Sequence, residues 1–115
     1  MSNKSVINIE VQLDENKVPE KIVWKGQDGN ATEQTRECKA MLLSFFDEST
    51  KDTFKIDLWT KDMQTVEMDR LVFQTLRGLA DTYNNATRNV KLANAMRQFV
   101  EYFGEETEII PKGTE

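Results

Sequence analysis

The stretch KIDLWTKDM, Lys55 to Met63, is where the sequence changes from a strand pattern to a helix pattern. Side chains alternate between the two faces of a strand, so Phe54, Ile56 and Leu58 are predicted to bury one face. Trp59 then shares the opposite face with two charged side chains, where the alternation predicts solvent. A large ring in that position needs either a cover from the rest of the chain or a partner.

Three further strands are predicted upstream of this one. Residues 6–13 alternate as a half-buried strand does, and a second strand follows with Pro19 near its start or on an edge. Residues 35–47 are apolar on both faces in their second half, which favours a central strand, although so short a run also fits a helix. Polar residues at 14–17 and 47–52 predict turns, the second of which closes an antiparallel hairpin.

Two helices are predicted after the quoted stretch. The apolar period changes there from two to 3.6, which predicts a helix from about residue 65 to residue 84. A second helix is predicted from about 90 to 103, with Asn89 as its N-terminal cap and Gly104 as its stop.

This order of elements predicts an α+β fold: a four-stranded antiparallel sheet (ββββ) followed by two helices packed on one face. A chain of 115 residues falls within the usual length of one domain. We therefore predict a single globular domain over residues 1–104. Residues 105–115 form an acidic and polar C-terminal tail, which we expect to fray or to lie along the surface.

Composition excludes several classes of partner and compartment. No apolar run is long enough to span a bilayer or to serve as a signal peptide. The net charge of −5 opposes binding to nucleic acid and to anionic lipid. The single cysteine, Cys38, has no second cysteine to bridge and suits a reducing compartment, so we expect a cytoplasmic protein.

The sequence offers little for catalysis. Histidine is absent, which removes the commonest general base and the commonest metal ligand. Cys38 lies in an apolar strand pattern and is expected to be a small packed side chain. The tripeptide Asp28-Gly29-Asn30 resembles a fragment of a calcium loop but lacks the remaining ligands, so a turn is the simpler interpretation. We predict no catalytic residue, no metal and no cofactor.

Apolar surface is the remaining candidate for a functional site. We predict a patch on the sheet face away from the helices, centred on Trp59 with same-side neighbours from other strands. Its residues are Trp59, Asp57, Val23, Met41, Leu43 and Phe45. Two interpretations stay open: the helices or the N-terminal arm cover this patch, or it binds protein, including a second copy in a homo-oligomer.

Several stretches are similar to one known family. LDENKVPEKIVWK (13–25), KAMLLSFFD (39–47), KIDLWTKDM (55–63), QTLRGLADTY (74–83) and MRQFVEYF (96–103) resemble the gliding-motility protein GldC family of Bacteroidota. The resemblance implies a small cytoplasmic accessory protein of the gliding apparatus, which is tied to type IX secretion and includes a GldB-like lipoprotein as a candidate partner. It implies no enzymatic activity and no cofactor, and it supplies no catalytic residues.

Three functions are therefore compared. The first is a non-enzymatic interaction protein of the gliding machinery. The second is a chaperone-like peptide binder, because the order of strands followed by helices is also that of the export chaperone SecB, an analogy at the level of fold alone. The third is an enzyme, which would require Asp57, Lys61 and Asp62 to converge in a pocket with raised carboxylate pKa values.

Overall fold

The computed structural model of the chain describes residues 3–27 and 34–112. Its elements, in chain order, are β1 (Val6–Leu13), β2 (Pro19–Gln27), β3 (Gln34–Cys38), β4 (Ala40–Phe46), β5 (Thr53–Trp59), α1 (Thr65–Thr87) and α2 (Val90–Glu106). The chain divides into two compact units, Met1–Met63 with the strands and Gln64–Glu115 with the helices. The α+β class is thereby confirmed, whereas a single domain with the helices on one sheet face stays a prediction.

The strands within residues 3–27 and 34–112 form two sheets, so the predicted single four-stranded sheet is wrong. One sheet has the order β1-β2-β3 and the other is the β4-β5 pair, with every pair of neighbours antiparallel. The strand predicted over 35–47 is interrupted by a bend at Lys39. The backbone carbonyl of Lys39 accepts a hydrogen bond from Thr60 N at 2.7 Å, which extends the β4-β5 ladder to the bend. The alternation of apolar residues does not predict this bend, because the residues before and after Lys39 both have strand character.

Both predicted turns are present, and both are built around an aspartate. The side chain of each aspartate accepts hydrogen bonds from backbone N–H groups further along its turn, as short acidic side chains do. The donors are Asn16 and Val18 for Asp14, and Ser49 and Thr50 for Asp47, at 2.8–3.1 Å. Lys17 and Lys51 take the left-handed conformation in corresponding places, with φ of 64° and 65°.

The helices begin and end at local signals. Glu67 Oε1 accepts a hydrogen bond from Gln64 N at 3.0 Å at the start of α1, and Arg88 ends that helix in the left-handed conformation with φ of 62°. Asn89 caps α2 as predicted, because its Oδ1 accepts from Leu92 N at 3.1 Å. The buried hydrophobic residues of the helical unit are Phe73, Ala80, Ala93 and Val100. Neither helix in the described chain combines the length and the apolar character that a bilayer crossing needs.

Gly104 does not stop α2, contrary to the prediction, because the helix continues to Glu106. The residue is buried, and a Cβ built on it would lie 2.7 Å from Phe73 Cε1 and 2.9 Å from Ile110 Cγ1. Ile110 N also donates a hydrogen bond to the Gly104 carbonyl at 3.1 Å. Glycine therefore allows a close contact between α2, α1 and the segment that follows α2. As far as Ile110, the predicted tail folds back onto the helix.

Candidate protein-interaction surface

The β4-β5 hairpin has two chemically different faces. Its register places Met41 opposite Leu58, Leu43 opposite Ile56 and Phe45 opposite Phe54. Directly opposed residues of an antiparallel pair lie on the same side of the sheet. We call this side the apolar face, which consists of Met41, Leu43, Phe45, Phe54, Ile56 and Leu58.

The apolar face is incompletely covered. Phe45 and Phe54 are each 56% exposed, and Ile56 is 47% exposed. The other three side chains have intermediate exposure. Single exposed apolar residues are common on protein surfaces, but a contiguous group that includes two phenylalanines is typical of a binding site.

The opposite side, which we call the mixed face, carries polar and apolar residues together. It consists of Ala40, Leu42, Ser44, Phe46, Thr53, Lys55, Asp57 and Trp59. Trp59 lies opposite Ala40 and is 51% exposed. The ammonium group of Lys55 pairs with the Asp57 carboxylate at 2.8 Å along the same strand. The ring is thus half in solvent, beside a charged pair.

The predicted patch is therefore divided between surfaces. Its assumed same-side grouping is wrong, because Trp59 and Asp57 lie on the mixed face whereas Met41, Leu43 and Phe45 lie on the apolar face. The number of residues in the turn decides which members of two strands share a face. Alternation along each strand, taken separately, leaves that choice open.

Val23 is the remaining member of the predicted patch, and it belongs to the other sheet. It lies in β2 between Glu10 of β1 and Glu37 of β3. Together with Asn8 and Lys25 it lines a small cavity of about 80 Å³. Strand pairing thus surrounds Val23 with polar neighbours and groups it with neither face of the hairpin.

Sequence reasoning missed half of the apolar face. Phe54, Ile56 and Leu58 were expected to be buried, whereas two of them are about half exposed. A signal was available in β4, which is apolar on both faces. A hairpin of two strands has too few neighbours to cover both sides of such a strand, so one side is left for another surface.

The residues required for an enzyme do not share a site. Lys61 Nζ pairs with Asp14 Oδ2 at 3.0 Å, whereas Asp62 Oδ1 accepts a hydrogen bond from the Thr60 hydroxyl at 2.6 Å. That hydroxyl holds the pKa of Asp62 below its usual value, the opposite of what a general acid needs. Asp57 pairs with Lys55 instead. Asp57, Lys61 and Asp62 thus have three different partners.

The Lys61 pair fixes the end of β5 to the first hairpin. Its ammonium group contacts Asp14 in the β1-β2 turn, and its backbone N–H donates to the Pro19 carbonyl at 3.1 Å. The hydrogen bond with Asp14 raises the pKa of Lys61. Hydrogen bonds from Val18 N–H and from Lys61 lower the pKa of Asp14.

The lowered pKa of Asp14 predicts that the fold loses stability in acid. A carboxylate whose folded pKa is lowered stabilises the fold above its ordinary pKa, 3.8 for aspartate, and loses that contribution as pH falls through the folded value. We expect the urea midpoint to fall between pH 4 and pH 2, and to fall less in Asp14→Asn. Denaturation followed by circular dichroism at several pH values measures this.

The matched control for acid sensitivity is Asp52→Asn, in the second turn. The Asp52 side chain makes no hydrogen bond or ion pair in the described parts of the chain, so this change should leave the acid dependence as it is. Equal acid dependence in the wild type and in Asp14→Asn would contradict the role assigned to Asp14.

The described residues contain no arrangement that indicates a metal site or a reactive thiol. Within residues 3–27 and 34–112, no group of three or more cysteine, aspartate or glutamate side chains is arranged to hold a metal ion. The tripeptide Asp28-Gly29-Asn30 lies outside the described residues. Cys38 is partly buried and lies opposite Ile22, which is fully buried.

The helical unit contains a larger cavity, of about 460 Å³. Three of its charged lining residues are engaged within the unit: Arg97 pairs with Asp81 at 3.0 Å, and the Arg77 guanidinium lies 5.2 Å from the centre of the Phe73 ring. These contacts join α2 to α1 and cover the buried ring. The cavity is consequently a weaker candidate for protein binding than the apolar face.

Comparison with known proteins identifies the family. A family model described as gliding motility-associated protein GldC-like matches residues 19–109. The matched span runs from β2 to the segment after α2, and so includes the whole hairpin with its apolar face. No curated protein and no solved structure matches the chain. Because the matched span is well over half of the sequence, the chain belongs to the GldC-like family of gliding motility-associated proteins.

Proposed function

We propose that this chain is a non-enzymatic accessory protein of the gliding-motility machinery and acts through protein contacts on the apolar face. The observation that carries the proposal is the hairpin side on which every side chain is apolar and two phenylalanines are 56% exposed. Family membership supplies the process, gliding motility. The apolar face indicates that the interaction is a hydrophobic contact with another protein.

The energetics of burial favour such a contact. Removing apolar surface from water stabilises a complex by roughly 25 cal/mol per Å², and large rings near the centre of an interface contribute most. Phe45 and Phe54 are directly opposite each other, so one partner surface can cover both rings together. A pair of opposed, exposed rings is a suitable centre for an interface, because one partner surface removes apolar area of both from water.

The non-enzymatic part of the proposal is supported by the side chains available. The sequence contains no histidine, and the acidic residues near the end of β5 bind partners of their own. We further propose that the protein acts in the cytoplasm, for which the single cysteine is the support. A protein of the gliding apparatus is the proposed partner, and a GldB-like lipoprotein is the first candidate to test.

A chaperone-like peptide binder is the second candidate function. The observation that favours it is the outer edge of β5, which pairs with no other strand in the described parts of the chain. Open edges accept extended peptides by strand addition, largely without regard to sequence. The two functions differ in how many proteins the chain would bind.

Quantitative affinity capture from a gliding bacterium that encodes this chain separates the two. An accessory protein is expected to recover one component of the gliding machinery in a ratio near one to one. A chaperone would recover many unrelated proteins, most strongly after heat stress. Recovery of many clients, with no gliding component enriched among them, would refute the proposed function.

A further inference from the structure

We propose that two copies of this chain pair through the outer edges of their β5 strands, antiparallel, with Ile56 facing Ile56 of the second copy. The inference rests on the proposed function in one respect, which is that the hairpin is a surface for association. It adds a partner, a second copy of the chain, and a defined register.

The outer edge of β5 is available for such pairing. Thr60 N donates to the Lys39 carbonyl beside β4, and backbone groups alternate in direction along a strand. The N–H and carbonyl groups of Phe54, Ile56 and Leu58 accordingly point toward β4, and those of Lys55, Asp57 and Trp59 point outward. In the described chain no other strand pairs with this edge.

The charges on β5 select one register. With Ile56 facing Ile56, Lys55 of each copy lies opposite Asp57 of the other, so two opposite-charge pairs form across the new ladder. A shift of two residues in one direction places Lys55 opposite Lys55, and a shift in the other places Asp57 opposite Asp57. Like charges directly opposite destabilise a strand pair, so the neighbouring registers are disfavoured.

The apolar residues fit the same register. Phe54 lies opposite Leu58 of the second copy, at positions where the backbone groups point away from the new ladder. Opposed side chains approach most closely at such non-hydrogen-bonded positions. The two hairpins then form one four-stranded sheet whose apolar face is twice as wide, and Phe45 stays open to a partner from the gliding machinery.

Symmetry also favours β5 over β4. A two-fold contact uses the same surface on both copies, so the strand has to be complementary to itself. In β5 the lysine and the aspartate are placed symmetrically about Ile56. The sequence of β4, AMLLSFF, contains no charged residue that would select a register.

Sedimentation velocity on the full chain over a range of concentrations tests the pairing. We expect the wild type to dimerise, and we expect Asp57→Lys and Lys55→Asp each to weaken the dimer by ~10-fold or more, because each places like charges opposite one another. Mixing the two variants is expected to restore association as a one-to-one heterodimer. In that mixture, residues 55 and 57 of one chain meet opposite charges on the other.

The mixing experiment distinguishes an effect on contacts between the two chains from an effect on contacts within one chain. Each variant loses the Lys55–Asp57 pair of its own strand, so an effect confined to one chain is not repaired by mixing. The control mixture combines Lys55→Asp with Asp81→Lys, which has the same net charge as Asp57→Lys but changes an exposed residue of α1. This control mixture is expected not to form the heterodimer.

Two results would overturn the pairing: a wild-type chain that stays monomeric at the highest concentration, or single variants that dimerise as tightly as the wild type. Either result would leave the proposed function standing if a gliding component is still captured one to one. Conversely, a dimer with the expected charge dependence but no gliding partner would refute the proposed function and leave the pairing in place.

Discussion

Gly104→Ala is expected to lower the free energy of unfolding of this protein by about 2 kcal/mol, within the range typical of overpacked cores. The new Cβ would lie 2.7 Å from Phe73 Cε1, and real side chains do not approach that closely. The same Cβ would lie 2.9 Å from Ile110 Cγ1, so the buried Phe73 ring and Ile110 would both have to shift to admit it. Urea denaturation followed by the helical circular dichroism signal measures the change.

Gly78→Ala is the matched control for this prediction. It makes the same change in α1, at an exposed position where a Cβ meets nothing within 4 Å. Alanine favours a helix interior over glycine by roughly 0.5–1 kcal/mol, so this variant should be more stable than the wild type. Stabilisation by both substitutions would show that the contact of Gly104 with Phe73 and Ile110 does not constrain the helical unit.

Phe45→Thr is expected to weaken binding to the gliding-machinery partner by ~30-fold or more, as the loss of a central aromatic anchor does. Phe45 is 56% exposed on the apolar face and lies in β4, away from the outer edge of β5. Threonine keeps a good strand propensity, so the hairpin should still form. Titration calorimetry with the captured partner measures the affinity.

Phe46→Thr is the control, because it removes the same ring from the adjacent residue. Phe46 is 67% exposed, but it lies on the mixed face. We expect its affinity to stay within ~3-fold of the wild type, as is usual for residues outside the centre of an interface. A larger loss in Phe46→Thr or Trp59→Thr than in Phe45→Thr would assign the partner to the mixed face, and so restore Trp59 as the anchor.

Local chemistry made several elements of this fold predictable. The turns at Asp14 and Asp47 and the cap at Asn89 depend on side chains that bond to backbone groups two to four residues away. Such bonds form without contacts from distant parts of the chain, so the local sequence is enough to predict them. The change of apolar period after Trp59 similarly located the first helix to within a few residues of its observed ends.

Features that depend on distant contacts were not predictable. Gly104 was expected to end a helix, because glycine often does, but the contacts that require it come from Phe73 and Ile110. The bend at Lys39 divides a run with continuous strand character, so the run itself gave no sign of it. In both cases the deciding interaction lies outside the pattern of neighbouring residues.

The candidate surface was predictable in kind but not in membership. Trp59, on a face where alternation predicts solvent, indicated that the hairpin needed a cover or a partner, and Met41, Leu43 and Phe45 were correctly identified as members of one face. Their assignment to the side of Trp59 failed, because the length of the turn sets which strand positions oppose each other. A change of one residue in that turn would have reversed the grouping.

Gliding of living cells reveals whether the apolar face of the hairpin serves motility. In a gliding bacterium, the chromosomal copy of this chain is replaced by Phe45→Thr or by Phe46→Thr, with protein levels matched by immunoblotting. We predict that cells carrying Phe45→Thr lose gliding as fully as a deletion strain, whereas cells carrying Phe46→Thr glide at the wild-type speed. Normal gliding of the Phe45→Thr cells would show that motility does not depend on the apolar face.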